Sequence, residues 1–244
     1  MLTRVLMVCC FAGFAGMVLA QNQAETDVLS TSAGALKITF IGHASLVFDF
    51  AGKIMHVDPY GKLTDYTKQP KADIILITHE HPDHLDLEAV RTLRTEKSTV
   101  VLTAACADKV AGGIVMTNGA VQPVQGIRIE AVPAYNLVHK RDDGQPFHPR
   151  GQGNGYILSF GDKRVYVAGD TENTPEMKAL RGIDVAFLPM NLPYTMTPEM
   201  VADAARTFKP KILYPYHFGD TDTSKLTALL QDVPEIEIRI RRMK

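Results

Sequence analysis

From residue 36 to residue 240, short apolar runs rich in Val, Ile and Phe alternate with polar breaks, and the runs have the length of strands. The pattern predicts strands at 36–41, 45–50, 53–57, 73–78, 99–102, 127–132, 155–160, 164–168, 185–188, 211–214 and 235–240. Helix starts are marked by a Ser, Thr or Asp cap, followed twice by proline at the first turn: Asp86 before Leu87-Glu88-Ala89-Val90, Thr174-Pro175, Thr197-Pro198 and Thr223-Ser224. The order is meander, strand, helix, then a second meander, strand, helix. An α+β domain of two packed sheets with helices outside suits that order, and it spans residues 35–244. The stretch 21–34 is polar with no apolar period and is expected to be a flexible lead-in.

Residues 1–20 break this pattern. A single positive residue, Arg4, precedes an unbroken small and apolar stretch from Val5 to Ala20, ending Val18-Leu19-Ala20 before Gln21. That is the form of an export signal cleaved after Ala20, and it falls short of the roughly 20 residues needed to span a bilayer. The expectation is a periplasmic or secreted protein with no stable membrane span after cleavage. A retained anchor is the alternative. Cys9 and Cys10 leave with the signal, so only Cys106 remains and no intramolecular disulfide can form. Stability must come from burial, which a chain with 45% hydrophobic residues supplies as one domain.

The formal charge is −1, one unit more negative without Arg4. No global basic field is present to bind nucleic acid, and the expected partner is a small molecule. His139-Lys140-Arg141 and Arg150 form the one local basic loop, suited to steering an anionic substrate.

Three of the eight histidines fall within six residues, in Thr78-His79-Glu80-His81-Pro82-Asp83-His84-Leu85-Asp86, directly after the apolar run Ile74-Ile75-Leu76-Ile77. Imidazole and carboxylate are the ligands zinc takes in catalytic sites that keep a position open for water. His79 and His81 alternate, so they face the same way if strand geometry persists. Asp83 and His84 sit where the chain turns toward the next helix, which aims them at a second point nearby.

The H-x-H-x-D-H pattern closing a hydrophobic strand resembles the signature of the metallo-β-lactamase superfamily. The resemblance extends to Ile41-Gly42-His43-Ala44-Ser45, Val57-Asp58-Pro59, Tyr166-Val167-Ala168-Gly169-Asp170-Thr171-Glu172 and Tyr214-Pro215-Tyr216-His217-Phe218-Gly219, in the right order. It implies an αββα four-layer sandwich of two mixed sheets with helices on the outer faces. It further implies that His79 and His81 hold one metal, that Asp83, His84 and His217 hold a second, and that Asp170 bridges both. Two zinc ions per chain are expected, with manganese or iron as alternatives. Metals roughly 3.5 to 4 Å apart need a shared carboxylate and can lower the pKa of a trapped water to about 7. The resulting hydroxide is the expected nucleophile, with Asp83 and Asp170 as the catalytic carboxylates.

Where related enzymes show a histidine after Pro-Ala-x, this chain has Val132-Pro133-Ala134-Tyr135-Asn136. An amide oxygen is a weaker zinc donor than imidazole. His139 or His148 can supply the missing nitrogen, and His148 is preferred because Phe147 and Pro149 stiffen its loop. Asn136 then hydrogen-bonds the nucleophile or the substrate. Asp58 is expected to orient a ligand histidine, with a plain turn role as the alternative. His43 borders the pocket, in a supporting rather than a catalytic place. Asp86 reads as a helix cap, Glu80 as a solvent-facing or supporting acid, and His56 as a packed histidine. Gly151-Gln152-Gly153-Asn154-Gly155 lacks the Lys-Ser/Thr ending of a phosphate loop and leads into a strand, so it reads as a flexible hairpin entry. Tyr194 is a candidate substrate contact.

The opening segments look most like the branch containing ascorbate-6-phosphate lactonase and the phospholipase D that hydrolyses N-acyl-phosphatidylethanolamine. The leading expectation is therefore an exported metal-dependent hydrolase of an ester, lactone or phosphodiester. Two others stand beside it: a mono-iron thiol or persulfide oxygenase on the same fold, and a metal-binding protein without catalysis.

Overall fold

The computed structural model describes residues 24–244, so the export segment expected at 1–20 lies outside the described residues. Two mixed seven-stranded sheets form the body of the chain. The first contains β1 (Glu25–Thr31), β2 (Gly34–Gly42), β3 (Ser45–Phe50), β4 (Lys53–Val57), β5 (Ile74–Leu76), β6 (Thr99–Leu102) and β7 (Ile114–Val115), in that spatial order. The second contains β8 (Val121–Val124), β9 (Ile127–Ala134), β10 (Gly153–Phe160), β11 (Lys163–Val167), β12 (Val185–Pro189), β13 (Ile212–Tyr216) and β14 (Glu237–Ile238), again in order. Each sheet starts with three antiparallel pairings and continues with three parallel ones.

Period-2 alternation sorts the side chains into layers. In β12, Val185 and Phe187 enter the cluster between the sheets, while Ala186 and Leu188 face outward onto a second cluster. In β6, Val101 faces inward and Val100 and Leu102 face outward. The outer cluster on the second sheet is completed by α3 (Pro175–Lys178), α4 (Pro198–Phe208) and α5 (Thr223–Leu229), through residues such as Met177, Val201, Phe208 and Leu226. That on the first sheet is completed by α1 (Leu87–Leu93) and α2 (Ala104–Ala107), through Ala89, Val90, Leu93 and Cys106. Helix, sheet, sheet, helix is the four-layer order expected.

Three helix starts fall where the caps place them. The side chain of Asp86 accepts from the N–H groups of Glu88 and Ala89, Thr174 from Met177, and Thr197 from Met200. For α5 the cap is Asp222, one residue before the expected Thr223.

Within the stretch 21–34, expected to be a flexible lead-in, the described residues Glu25–Thr31 are instead a strand, paired with β2 from Glu25 opposite Phe40 to Thr31 opposite Gly34. Its side chains alternate between half-buried and exposed, so it carries little apolar signal. Backbone pairing and charge hold it instead. Asp27 accepts a bidentate pair of bonds from Arg241 Nη2 at 2.7 and 2.8 Å, one from Arg239 Nη1 at 3.2 Å, and one from the Tyr214 hydroxyl. Burial acts to raise the Asp27 carboxyl, but these bonds hold it below the usual carboxylate value. The short strands β7 and β8 were also absent from the apolar pattern, for the same reason: most of their residues are exposed.

The Gly151–Gly155 segment also differs from expectation. Gly153, Asn154 and Gly155 are buried within β10. A Cβ on Gly155 would lie 2.7 Å from the Ala168 carbonyl oxygen, so this glycine serves a close approach between β10 and the end of β11.

Candidate metal centre

Parallel strands deliver their following loops to one edge, and ligands gather outside their carboxyl ends. Here those loops carry Asp58 after β4, His79 to His84 after β5, Asp170 after β11, Asn191 after β12 and His217 after β13. β5 stops at Leu76, so strand alternation does not orient His79 and His81. They meet regardless, with His79 Nε2 3.1 Å from His81 Nδ1.

Donor atoms fall into overlapping sets. His79, His81 and His148 each offer a ring nitrogen, all within 4.8 Å of one another; His43, Asp83, His84 and His217 form a second set, and His79, His84 and Asp170 a third. Asp170 lies between them. Its Oδ2 is 3.3 Å from His148 Nε2, 3.5 Å from His217 Nε2 and 4.0 Å from His79 Nε2, while its Oδ1 is 3.5 Å from His84 Nε2. Asp83 Oδ2 is 3.6 Å from His217 Nε2 and 3.8 Å from His84 Nε2.

His84 Nε2, His148 Nε2, His217 Nε2 and Asp170 Oδ1 are all buried without a hydrogen-bond partner. A buried polar atom left unpaired is costly, so four of them gathered at the Asp170 carboxylate mark a place built for another group. Nitrogen and carboxylate oxygen in this ratio fit a divalent transition metal.

Behind the donors, a layer of bonds sets which nitrogen faces inward. His84 Nδ1 donates to Asp58 Oδ2 at 2.8 Å. Asp58 also accepts from Thr78 N at 2.8 Å and from the Thr78 hydroxyl at 2.6 Å. With its hydrogen committed to Asp58, that hydroxyl accepts from His79 Nδ1 at 3.0 Å. The Asn191 side-chain amide is 3.4 Å from His217 Nδ1. Asn136 Oδ1 accepts from both His148 N and His148 Nδ1 at 2.8 Å. For His79, His84 and His148 the partner bond engages Nδ1 and turns Nε2 toward the centre, the arrangement metal-binding histidines require. The Asn191 atom nearest His217 Nδ1 is a donor nitrogen and does not fix that tautomer.

Charge follows the crowding. Burial lowers His79, as it does His81, with the neighbouring imidazoles adding to the effect. Burial acts to lower His84 as well, but Asp170, Asp58 and Asp83 outweigh it and raise the ring to about 9. Burial acts to raise Asp170, yet His217, His84 and His148 hold it well below the usual carboxylate range. Asp83 is likewise held low, against burial, by His217 and His43. His43 donates to Asp83 Oδ2 at 3.0 Å, and its ring lies 3.7 Å from that of His217. His43, Asp58 and His217 all adopt positive φ (51°, 42° and 46°), so backbone strain in non-glycine residues gathers at the site.

A cavity of about 400 Å³ opens beside the donors, its outer wall formed by Arg141, Phe147, Asn191 and Tyr194. The Arg141 guanidinium lies over the Phe147 ring at 5.1 Å, and Phe147 meets Tyr194 edge-on at 5.1 Å.

The expected ligands therefore converge with Asp58, His43 and Asn136 beside them, but Asn136 takes part in a different way from the one expected. Its oxygen is engaged by His148, so it is placed to orient that ring and not to contact a nucleophile or substrate. His139 is not among the grouped donors, and its Nδ1 is 2.7 Å from Glu172 Oε1. Arg150 is tied to Glu176 at 2.6 Å and lies over Tyr135, away from the cavity wall. His56 is packed as expected: its Nε2 bonds the Pro70 carbonyl oxygen at 3.0 Å, and burial lowers it to about 4. The sequence reading assigned no role to Thr78, Glu172 or Asn191. Two of them lie inside the quoted motifs, but nothing local identifies their partners.

Comparison with known proteins places the chain. Residues 37–217 match the family model of the beta-lactamase superfamily domain. A structure described as a metal-dependent hydrolase from Parabacteroides distasonis ATCC 8503 is 48% identical, with a TM-score of 0.86 over 91% of this chain and 100% of that one. Among sequences, a UPF0173 metal-dependent hydrolase of Ligilactobacillus salivarius is 32% identical over 82% of this chain and 94% of its own length. One from Methanopyrus kandleri is 31% identical over 75% and 84%. The chain thus belongs to the metallo-β-lactamase superfamily, among its UPF0173 metal-dependent hydrolases.

Proposed function

We propose that the mature protein is an exported two-metal hydrolase, with zinc as the metal, acting on an ester, lactone or phosphodiester bond of a small anionic molecule. The observation that carries this reading is that the buried, unpartnered Nε2 atoms of His84, His148 and His217 each lie 3.3 to 3.5 Å from an oxygen of the Asp170 carboxylate, whose Oδ1 is itself unpartnered. His79, His81 and His148 would hold one ion, Asp83, His84 and His217 the other, and Asp170 would reach both. Bound there, the metals supply Lewis acidity that activates water and polarises the scissile bond.

The chain's own residues do the rest. Asp58, Thr78 and Asn136 hold His84, His79 and His148 in the tautomer that presents Nε2. Asp83 is one-third exposed, facing the cavity, and is placed to accept a proton from an attacking water, with His43 holding its carboxylate. Arg141, with a single side-chain bond to the Phe147 carbonyl at 3.2 Å, has donors left for an anionic group on the substrate. Phe147 and Tyr194 supply a flat apolar wall. The cavity volume lies at the small end of ligand pockets, which favours a compact substrate.

Elemental analysis of purified protein, followed by a panel of lactone, phosphodiester, thioester and β-lactam substrates in anionic and neutral forms, tests the reading. Two zinc per chain and turnover of an anionic ester-type substrate are expected. One iron per chain with thiol oxidation would overturn it in favour of the oxygenase. Intact mass of exported protein beginning at Gln21 is expected, and a full-length chain retained in the cytoplasm would reject export.

A further inference from the structure

Glu172 is fully buried, two residues beyond Asp170, and is not among the grouped donors. Five donors converge on it. Oε2 accepts from Leu137 N and Val138 N, both at 2.7 Å. Oε1 accepts from His139 N at 2.8 Å, His139 Nδ1 at 2.7 Å and Asn136 Nδ2 at 3.0 Å. A carboxylate has about four lone-pair sites. This one is saturated by residues 136–139 and has no capacity left for a metal or a substrate.

Its effect on the site passes through Asn136, whose amide is fully used. Nδ2 donates to Glu172 Oε1 and to the Tyr194 carbonyl at 2.9 Å, while Oδ1 accepts twice from His148. Both partners on the Nδ2 side are pure acceptors, so the amide cannot flip without setting oxygen against oxygen. The unflipped amide requires hydrogen on His148 Nδ1, and that leaves the lone pair on Nε2, the buried atom 3.3 Å from Asp170. Asp170 and Glu172 leave the same strand end. One segment therefore supplies a donor to the centre and fixes the opposite loop that carries another.

We propose that Glu172 is a positioning residue for the metal centre: by fixing the Asn136 amide it sets the tautomer and aim of His148. This rests on the two-metal reading above. The neutral amide does at His148 what the Asp58 carboxylate does at His84, and Glu172 supplies the charge one bond further out.

The test is zinc titration of the purified, metal-stripped chain against a competing chelator, for wild type, Glu172→Gln, Asn136→Ala, their double variant and His148→Ala. Glu172→Gln is expected to weaken one of the two binding steps by about 10- to 100-fold, the range for residues that orient ligands. The affected step should be the one that His148→Ala abolishes, with the other unchanged. The double variant should be no weaker than Asn136→Ala alone, because both changes break one chain of contacts. Full affinity in Glu172→Gln, or equal loss at both steps, would overturn the proposal. Should Glu172→Gln fail to fold, Asn136→Ala leaves the backbone bonds of Glu172 in place, and full affinity there overturns it equally.

Histidine ¹⁵N NMR of the metal-stripped protein gives a readout separate from metal count. His148 should carry its hydrogen on Nδ1 in wild type and lose that preference in both variants. Hydrogen on Nε2 in wild type would reject the proposal even if two zinc ions bind. A wild-type chain that binds fewer than two, with the Nδ1 pattern intact, would reject the two-metal reading and leave the role of Glu172 standing.

Discussion

The two halves of this protein share a plan, three antiparallel strand pairings followed by three parallel ones, yet they serve the centre differently. In the first half one loop, directly after β5, brings His79, His81, Asp83 and His84 together. In the second half Asp170 and His217 follow two different strands, and His148 arrives on the long connection between β9 and β10. Support differs in the same sense. A fully buried anion, Asp58, bonds His84 directly, whereas His148 rests on a neutral amide that is itself bonded to an anion. One topology can therefore build a site by concentration or by dispersal: Asp58 alone reaches two ligands, His84 directly and His79 through the Thr78 hydroxyl, whereas in the second half Glu172 reaches His148 through Asn136.

The largest break in the comparison comes from Asp170, the second-half residue that touches both donor sets. Asp170→Ala is expected to cut turnover by about 10³-fold or more, the scale of losing a preorganised charge, and to release at least one metal. Its side chain lies at a strand end, outside the apolar clusters, so circular dichroism should show a retained fold. Near-normal rate with full metal content would remove Asp170 from the bridge.

Supports in the two halves can be set against each other. Asp58→Asn leaves Thr78 N, the Thr78 hydroxyl and His84 Nδ1 competing for one acceptor oxygen, and should destabilise the fold by about 2–3 kcal/mol. Asn136→Ala should destabilise it by about 1–2 kcal/mol. Denaturant midpoints decide, and a larger loss for Asn136→Ala would invert the comparison.

The metal-stripped protein should show a pH dependence that the loaded one lacks. His84, raised to about 9 by its carboxylates, contributes stability that is fully present below its unfolded value near 6.5 and is lost as pH rises through about 9. Thermal unfolding at pH 6.5, 8 and 9.5 should show a falling midpoint without metal. With metal bound the ligand ring is already neutral and this fall should vanish. A flat profile in the stripped protein would contradict the assigned charge.

The smallest effect concerns β1, which binds the start of the described chain to its end. Asp27→Asn is expected to lower stability by about 1–2 kcal/mol through the lost bidentate pair with Arg241. Zinc content and turnover should be unchanged. Because the Asp27 carboxyl is held low, its contribution is present above the unfolded value near 3.8 and lost as pH falls below it. An unaltered unfolding midpoint at neutral pH would show that strand pairing alone holds β1.

What was legible in the chain reflects how locally each feature is encoded. Strands such as Ser45–Phe50 and Thr99–Leu102 were readable because each buries a dense apolar run. The 79–84 cluster was readable because its spacing has no other use. β1 was not, since its stabilising partners, Arg239, Arg241 and Tyr214, lie at the far end of the sequence. The place of His148 depended on three-dimensional closure: only folding brings Asn136, Glu172 and Tyr194 to one point, and only there does the amide's orientation follow. Local patterns are written in neighbouring residues. A hydrogen-bond network is written in groups that become neighbours after the sheets have packed.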